Sequence, residues 1–159
     1  MSSLPFRTRP ARLDHASTTD LRQFLGTILV RRGRVTQVQL ATALDEVERT
    51  GRRLGDILLG RGWLYESELA QALAEQNGVD YVDIAARSVD RTVAAKLPRD
   101  VAEHFRCVPV RTTSSGAMLL AVADPADVDV EVLRILVGTE VEIGVAELSA
   151  IRSAWPHCP

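Results

Sequence analysis

Long apolar runs, catalytic signatures, cysteine and lysine are all scarce in this 159-residue chain, and each scarcity removes a class of function. Every apolar stretch is broken by Gly, Arg or Asp well short of the roughly 18 to 20 residues a membrane helix needs, which argues against bilayer insertion. No Gly-Lys dipeptide occurs, so the phosphate-cradling loop of a nucleotide hydrolase is missing and the chain is not itself a motor. There is no Gly-x-Ser-x-Gly turn, no histidine pair at helical spacing and no Cys-x-x-Cys. His15, His104 and His157 read as surface residues. Asp124, Asp127 and Asp129 alternate like a cation loop but lack its Gly and distal Glu, and helix capping accounts for them. Ser114-Ser115-Gly116 is turn chemistry without a partner for a nucleophile. No enzyme, cofactor or metal site is expected.

Cys107, in an apolar stretch, and Cys158, next to the last residue, are poorly placed to pair and fit a reducing compartment, with the cytoplasm as the expected location. Lys96 is the single lysine, and formal net charge is only -2. Met1 to Arg12 carry three arginines and two prolines without the apolar run of a secretory signal. Residues 1–22 read as a disordered basic tail, with a membrane-surface or nucleic-acid arm as the alternative. No basic face recurs elsewhere, so neither DNA nor RNA is expected as a partner.

What the chain does have is a repeat. Residues 24–47 align with 53–76 without gaps at an offset of 29, and 11 of the 24 positions are identical. Random matching gives about one or two, so this is an internal duplication. Leu25, Gly26, Ile28, Leu29, Gly33, Leu40, Ala41, Ala43 and Leu44 recur as Leu54, Gly55, Ile57, Leu58, Gly62, Leu69, Ala70, Ala72 and Leu73. The apolar spacing is helical, and each copy predicts a short helix followed by a longer one. Gly33 and Gly62 fall where the short helix must stop in a positive-φ cap. Thr36 with Gln39 makes a capping box for the longer helix, which Gly51 ends. Tyr65 stands at the equivalent place in copy two and cannot cap that way, although Glu66 and Glu68 suit the helix dipole. Trp63 either covers the bundle core or offers an exposed ring to a base or a partner.

Beyond Gln76 the period changes. Asn77-Gly78 marks a helix end, Tyr81 to Ile84 is a short extended segment, and Ser88 to Leu97 reads as helical up to Pro98, which opens the next helix to Phe105. Arg106 to Arg111 and Ala117 to Ala123 are β-rich runs joined by a plausible hairpin. Asp124-Pro125 starts a helix continuing through Val128 to Val137, Val141 to Val145 is a third strand, and Glu147 to Trp155 closes with a helix. The predicted fold is α+β: a helical lobe from the tandem repeat over 23–84, then a lobe of about three strands with packed helices over 88–155.

Arg53-Leu54-Gly55, with Leu58 and Gly62 following and then Leu69, Leu73 and Gln76 at spacings of seven, four and three, resembles a known motif. It is the tandem 24-residue motif of the N-terminal domain of type II secretion and type IV pilus assembly ATPases, the secretory-pathway protein E N-terminal (MshEN-type) family. The five-residue spacer Glu48 to Arg52 agrees. Leu97-Pro98, Cys107-Val108-Pro109-Val110 and Ala121-Val122-Ala123-Asp124-Pro125 look like signatures of the same family, so the resemblance spans roughly residues 24–152.

Some members of that family bind cyclic di-GMP between the motifs. The resemblance therefore implies that Arg53 and Gln76 contact a guanine, while Leu54, Gly55, Leu58, Gly62, Leu69 and Leu73 shape an apolar seat. Leu25, Gly26, Leu29, Gly33, Leu40 and Leu44 would do the same in copy one. Phe24 replaces the expected Arg there, and Val47 the expected Gln. Each lost polar contact to a buried base is worth about 1 to 3 kcal/mol, so the pair costs about 2 to 6 kcal/mol, roughly 30-fold to over 10⁴-fold in affinity. A Phe24 ring stacked on the second guanine would recover part of that.

Two functions follow. One is a non-catalytic regulatory or adaptor domain responsive to cyclic di-GMP, with a degraded first half-site. The other is a protein-docking module that binds no nucleotide. The partner implied by the resemblance is an effector or platform protein of a secretion or pilus system.

Overall fold

The computed structural model describes residues 18–84 and 89–159, and its fold is α+β. The first half holds α1 (Thr18–Arg31), α2 (Gln37–Thr50), α3 (Leu54–Gly60) and α4 (Glu66–Asn77). α1 begins six residues before the repeat and is as long as α2, so the short-then-long pattern holds only for α3 and α4. Thr18 to Arg22, expected in the tail, are helical, and the rest of the expected tail lies outside the described residues.

Local chemistry sets the helix ends. Gly33 and Gly62 turn the chain at φ 69° and 70°, conformations an L side chain resists. Thr36 Oγ1 accepts from the Gln39 N–H at 3.1 Å while the Thr36 N–H donates to Gln39 Oε1 at 2.9 Å. Copy two keeps half of that box: the Tyr65 N–H donates to Glu68 Oε2 at 2.9 Å, and the phenol takes no part.

The helices interlock across the two copies, with α1 on α4 and α2 on α3. Gly26 and Gly55 let this happen at equivalent points. A Cβ at Gly26 would stand 2.7 Å from a Leu40 methyl, and one at Gly55 2.9 Å from a Leu69 methyl. The charges repeat the exchange: Arg32 meets Glu75 at 2.8 Å, and its counterpart Arg61 meets Glu46, the counterpart of Glu75, at 2.7 Å. Such reciprocity is what a local two-fold relation produces. Trp63 is half-buried against the core, with the Arg61 guanidinium 5.0 Å from its ring centre.

The second half holds the one-turn α5 (Arg91–Ala94), α6 (Arg99–Phe105), β1 (Cys107–Thr112), β2 (Met118–Val122), α7 (Val130–Val137), β3 (Val141–Val145) and α8 (Leu148–Ala154). β1 and β2 form the antiparallel hairpin, and β3 joins β2 in parallel. All five residues of β2, the central strand, are buried. The expected helix over Ser88 to Leu97 shrinks to α5, because Asp90 Oδ1 accepts from the Thr92 N–H at 2.9 Å and starts it late; Ser88 itself lies outside the described residues. The helix expected from Asp124 to Val137 divides in two. Asp124 caps a 3-10 turn, Pro125–Asp127, Val128 is extended, and Asp129 Oδ1 accepts from the Glu131 and Val132 N–H groups to begin α7.

Buried side chains form one cluster running from Leu25 in α1 to Cys158 beside the chain end. The thiols belong to that core, and burial pushes Cys107 up to about 12. Among the described residues no helix is long and apolar enough to cross a membrane.

Candidate functional site

A cavity of about 480 Å³ opens between the second repeat copy and the sheet. One wall is α3 and α4, and the other is built by the segments leaving the carboxyl ends of the parallel strands β2 and β3. Crevices beyond the carboxyl ends of parallel strands are where such layers leave room, since the chain must turn away there to reach its next helix.

From copy two, Arg53, Leu54, Gly55, Leu69, Leu73 and Gln76 line the cavity. From copy one only Leu25 does, among the described residues. The other residues implied by the resemblance have different duties. Leu29 and Leu58 are fully buried in the helical core. Leu40 covers Gly26, Gly33 and Gly62 are exposed turn residues, and Leu44 packs half-buried against the core. Phe24 is 49% exposed outside the lining, and Val47 is buried inside α2.

The opposite wall contributes side chains that sequence patterning did not assign to a site. Arg53 Nη1 and Nη2 donate to Asp127 Oδ2 and Oδ1 at 2.7 and 2.5 Å, and Nη1 lies 3.5 Å from Asp124 Oδ2. Arg106 Nη1 stands 3.5 Å from the same Asp127. The hydrogen bond to Asp127 raises the Arg53 guanidinium above its already high range, while Arg53 holds the Asp127 carboxyl below the usual carboxylate range against the opposing effect of burial. Asp124 serves twice, since its Oδ1 caps the turn by accepting from the Ala126 N–H at 2.9 Å. The capping expected of Asp124 is therefore present, and its cavity role was hidden because Arg53 lies 71 residues away. Asp56, Glu66 and Glu147 complete the acidic lining, Glu66 accepting from Ser149 Oγ at 2.6 Å and Glu147 from the Tyr81 phenol at 2.8 Å. Burial and that bond push the phenol up to about 12.

The cavity thus presents apolar leucines, glycine backbone, the amides of Gln76 and Asn77, two guanidiniums and five carboxylates. Leucines beside a few convergent polar groups are the make-up of a small-molecule pocket. Among the described residues no cluster of His, Cys, Asp and Glu could hold a metal ion.

The sequence pattern of the MshEN domain matches residues 77–158, just over half of the chain. The chain belongs to the MshEN domain family. This MshEN domain is 32% identical over 131 residues to the type IV pilus assembly ATPase PilB of Myxococcus xanthus, covering 82% of this chain and 23% of PilB. It is 43% identical over 88 residues to bacteriophage adsorption protein B of Escherichia coli, covering 55% of this chain and 12% of that protein. The chain therefore spans less than a quarter of the length of these relatives. Among solved structures, MshE with cdg (cyclic di-GMP) superposes at a TM-score of 0.69 with 30% identity, over 83% of this chain and 96% of that one. The N-terminal domain of XpsE shares the fold at a TM-score of 0.66 and 20% identity, over 87% and 95% of the two chains.

Proposed function

We propose that this MshEN domain is a non-catalytic regulatory module of a secretion or pilus-type system, and that it binds cyclic di-GMP in the cavity between α3–α4 and the Ala123–Asp127 segment. The observation that carries this reading is that one cavity gathers Arg53, Gln76, Leu54, Leu69 and Leu73 of the second motif. The likeness to MshE with cdg supports the choice of ligand. The apolar side chains would seat a purine face, the Gln76 amide would bond its edge, and an aspartate would accept from the guanine N1–H and amino group.

Energetics permit the exchange this requires. Arg53 is half-exposed, and an ion pair of that kind is worth about 0 to 1 kcal/mol. The bonds Arg53 makes to Asp127 and those it would make to a phosphate are both charge-assisted, so exchanging one partner for the other is close to even, and the net gain comes from the base seated on the leucines. Isothermal titration with cyclic di-GMP tests the reading. Wild-type protein should bind at micromolar concentration or tighter, and Arg53→Ala should remove the heat; a flat wild-type titration sinks the nucleotide site.

A second reading, a docking module without nucleotide, is favoured by α7. Its Val132, Ile135 and Leu136 are 40%, 77% and 52% exposed on one eight-residue helix, an apolar face suited to another protein. In this reading, as in the first, the partner is an effector or platform protein, and the location is the cytoplasm.

A further inference from the structure

We propose that Arg106 is the second cationic ligand-binding residue of the nucleotide cavity, supplied by the sheet lobe where the first repeat copy offers only Phe24 and Val47. The inference rests on the reading of the cavity as a cyclic dinucleotide site and assigns Arg106 to the phosphate or to the second base.

Arg106 adopts φ 52°, in the left-handed region, and it is the one non-glycine residue with positive φ among the described residues. The other six positive-φ positions are all glycine. Glycine takes this conformation without the clash between Cβ and the following carbonyl, so an arginine here keeps its side chain at the expense of backbone comfort. Such strain is held where the surroundings over-determine it. The Arg106 N–H bonds to the last carbonyls of α6, Ala102 and Glu103, and the Arg106 carbonyl accepts from the Ala123 N–H at 3.1 Å. Ala123 opens the very segment that lines the cavity, so the backbone of Arg106 is fastened to the wall it serves.

From that anchorage the side chain, one-third exposed, lines the cavity and reaches Asp127, which it shares with Arg53. One carboxylate therefore spans two guanidiniums on opposite walls. A ligand that separates Arg53 from Asp127 meets both cations together. A guanidinium fork matches phosphate oxygens two at a time and stacks on a purine, and either contact serves a cyclic dinucleotide. First-copy replacements cannot come from Phe24, which is outside the lining, or from Val47, which is buried in the core.

The test is titration of cyclic di-GMP into wild-type, Arg106→Gly, Arg106→Lys and Arg53→Ala proteins, with thermal melts of each. Arg106→Gly relieves the left-handed backbone, so its melting temperature should equal or exceed that of the wild type while its affinity falls at least about tenfold. Arg106→Lys keeps the charge without the fork and should bind between the two. A residue with only a structural role would not lose binding while the fold holds or gains. Wild-type affinity in a folded Arg106→Gly protein, alongside loss in Arg53→Ala, overturns this inference and leaves the nucleotide reading standing. If Arg106→Gly does not fold, wild-type affinity in Arg106→Lys overturns it equally. No heat from the wild type overturns both.

Discussion

Asp127 is the residue on which the cavity's charges converge, with Arg53 bound through both oxygens and Arg106 beside it. That placement has a pH signature. Its carboxyl titrates below the usual range in the folded protein, chiefly because Arg53 donates to it. The folded state thus holds this proton less readily than the unfolded chain does. The resulting stabilisation is complete above the unfolded value of about 3.9 and is lost as pH falls through the lower folded value. Thermal melts between about pH 2 and pH 6 should show Asp127→Asn flattening the acid limb of the stability curve. An unchanged acid limb would mean that the pair adds nothing to the fold.

At the scale of elements, the two repeat copies differ in how their long helices begin. α2 has the reciprocal box of Thr36 and Gln39, whereas α4 has only the Tyr65 N–H on Glu68. Thr36→Ala should destabilise the protein by about 1 kcal/mol in urea unfolding, while Tyr65→Ala, which removes no cap, should cost clearly less. These ends were legible in the sequence because capping is local: Thr36, Gly51, Gly33, Gly62 and Gly78 each act within a few residues of themselves. The strands were legible for the same reason, through β-rich runs around the Thr113 to Ala117 turn. Three features were not. The upstream part of α1 has a polar sequence before Leu21 that gives no apolar period. Asp129 restarts α7 because a second capping residue competes with the first, and order along the chain does not say which wins. The cavity needs Arg53 to meet Asp127, 74 residues on, and only packing of the repeat against the sheet brings them together. Of the fourteen implied site residues seven lie outside the lining: Leu29, Leu40, Leu44 and Leu58 pack in or against the core, Gly26 lies under Leu40, and Gly33 and Gly62 are exposed turn residues, because leucines at helical spacing carry no mark that separates a ligand seat from a buried seam.

Across the whole molecule, the buried cluster runs without a break from the repeat to the chain end. One tryptophan reports on each part: Trp63 follows Gly62 at the turn between α3 and α4, and Trp155 follows α8, its indole N–H donating to the Cys107 carbonyl at 3.0 Å. A continuous core predicts one cooperative transition. Urea titrations of Trp63→Phe and Trp155→Phe, each reporting through the remaining indole, should therefore give coincident midpoints once each is matched to far-UV dichroism of the same variant. Separate midpoints for the two probes would show that the lobes unfold independently.

The sheet also has a bearing on how the protein behaves when crowded. Along β3, the chain at Asp80 to Val82 already occupies the backbone groups of Val145: the Val82 N–H donates to the Val145 carbonyl at 2.7 Å, and the Val145 N–H to the Asp80 carbonyl at 2.9 Å. Along β1, Pro109 has no N–H to give, and the Val110 carbonyl accepts from the Asp90 N–H at 2.8 Å. Both borders of the three-stranded sheet are thus partly spoken for by the protein's own backbone. A stranger's strand finds few unpaired donors and acceptors to continue the ladder, so the folded protein is a poor template for amyloid-like stacking, and any route to fibres must first peel these short segments away.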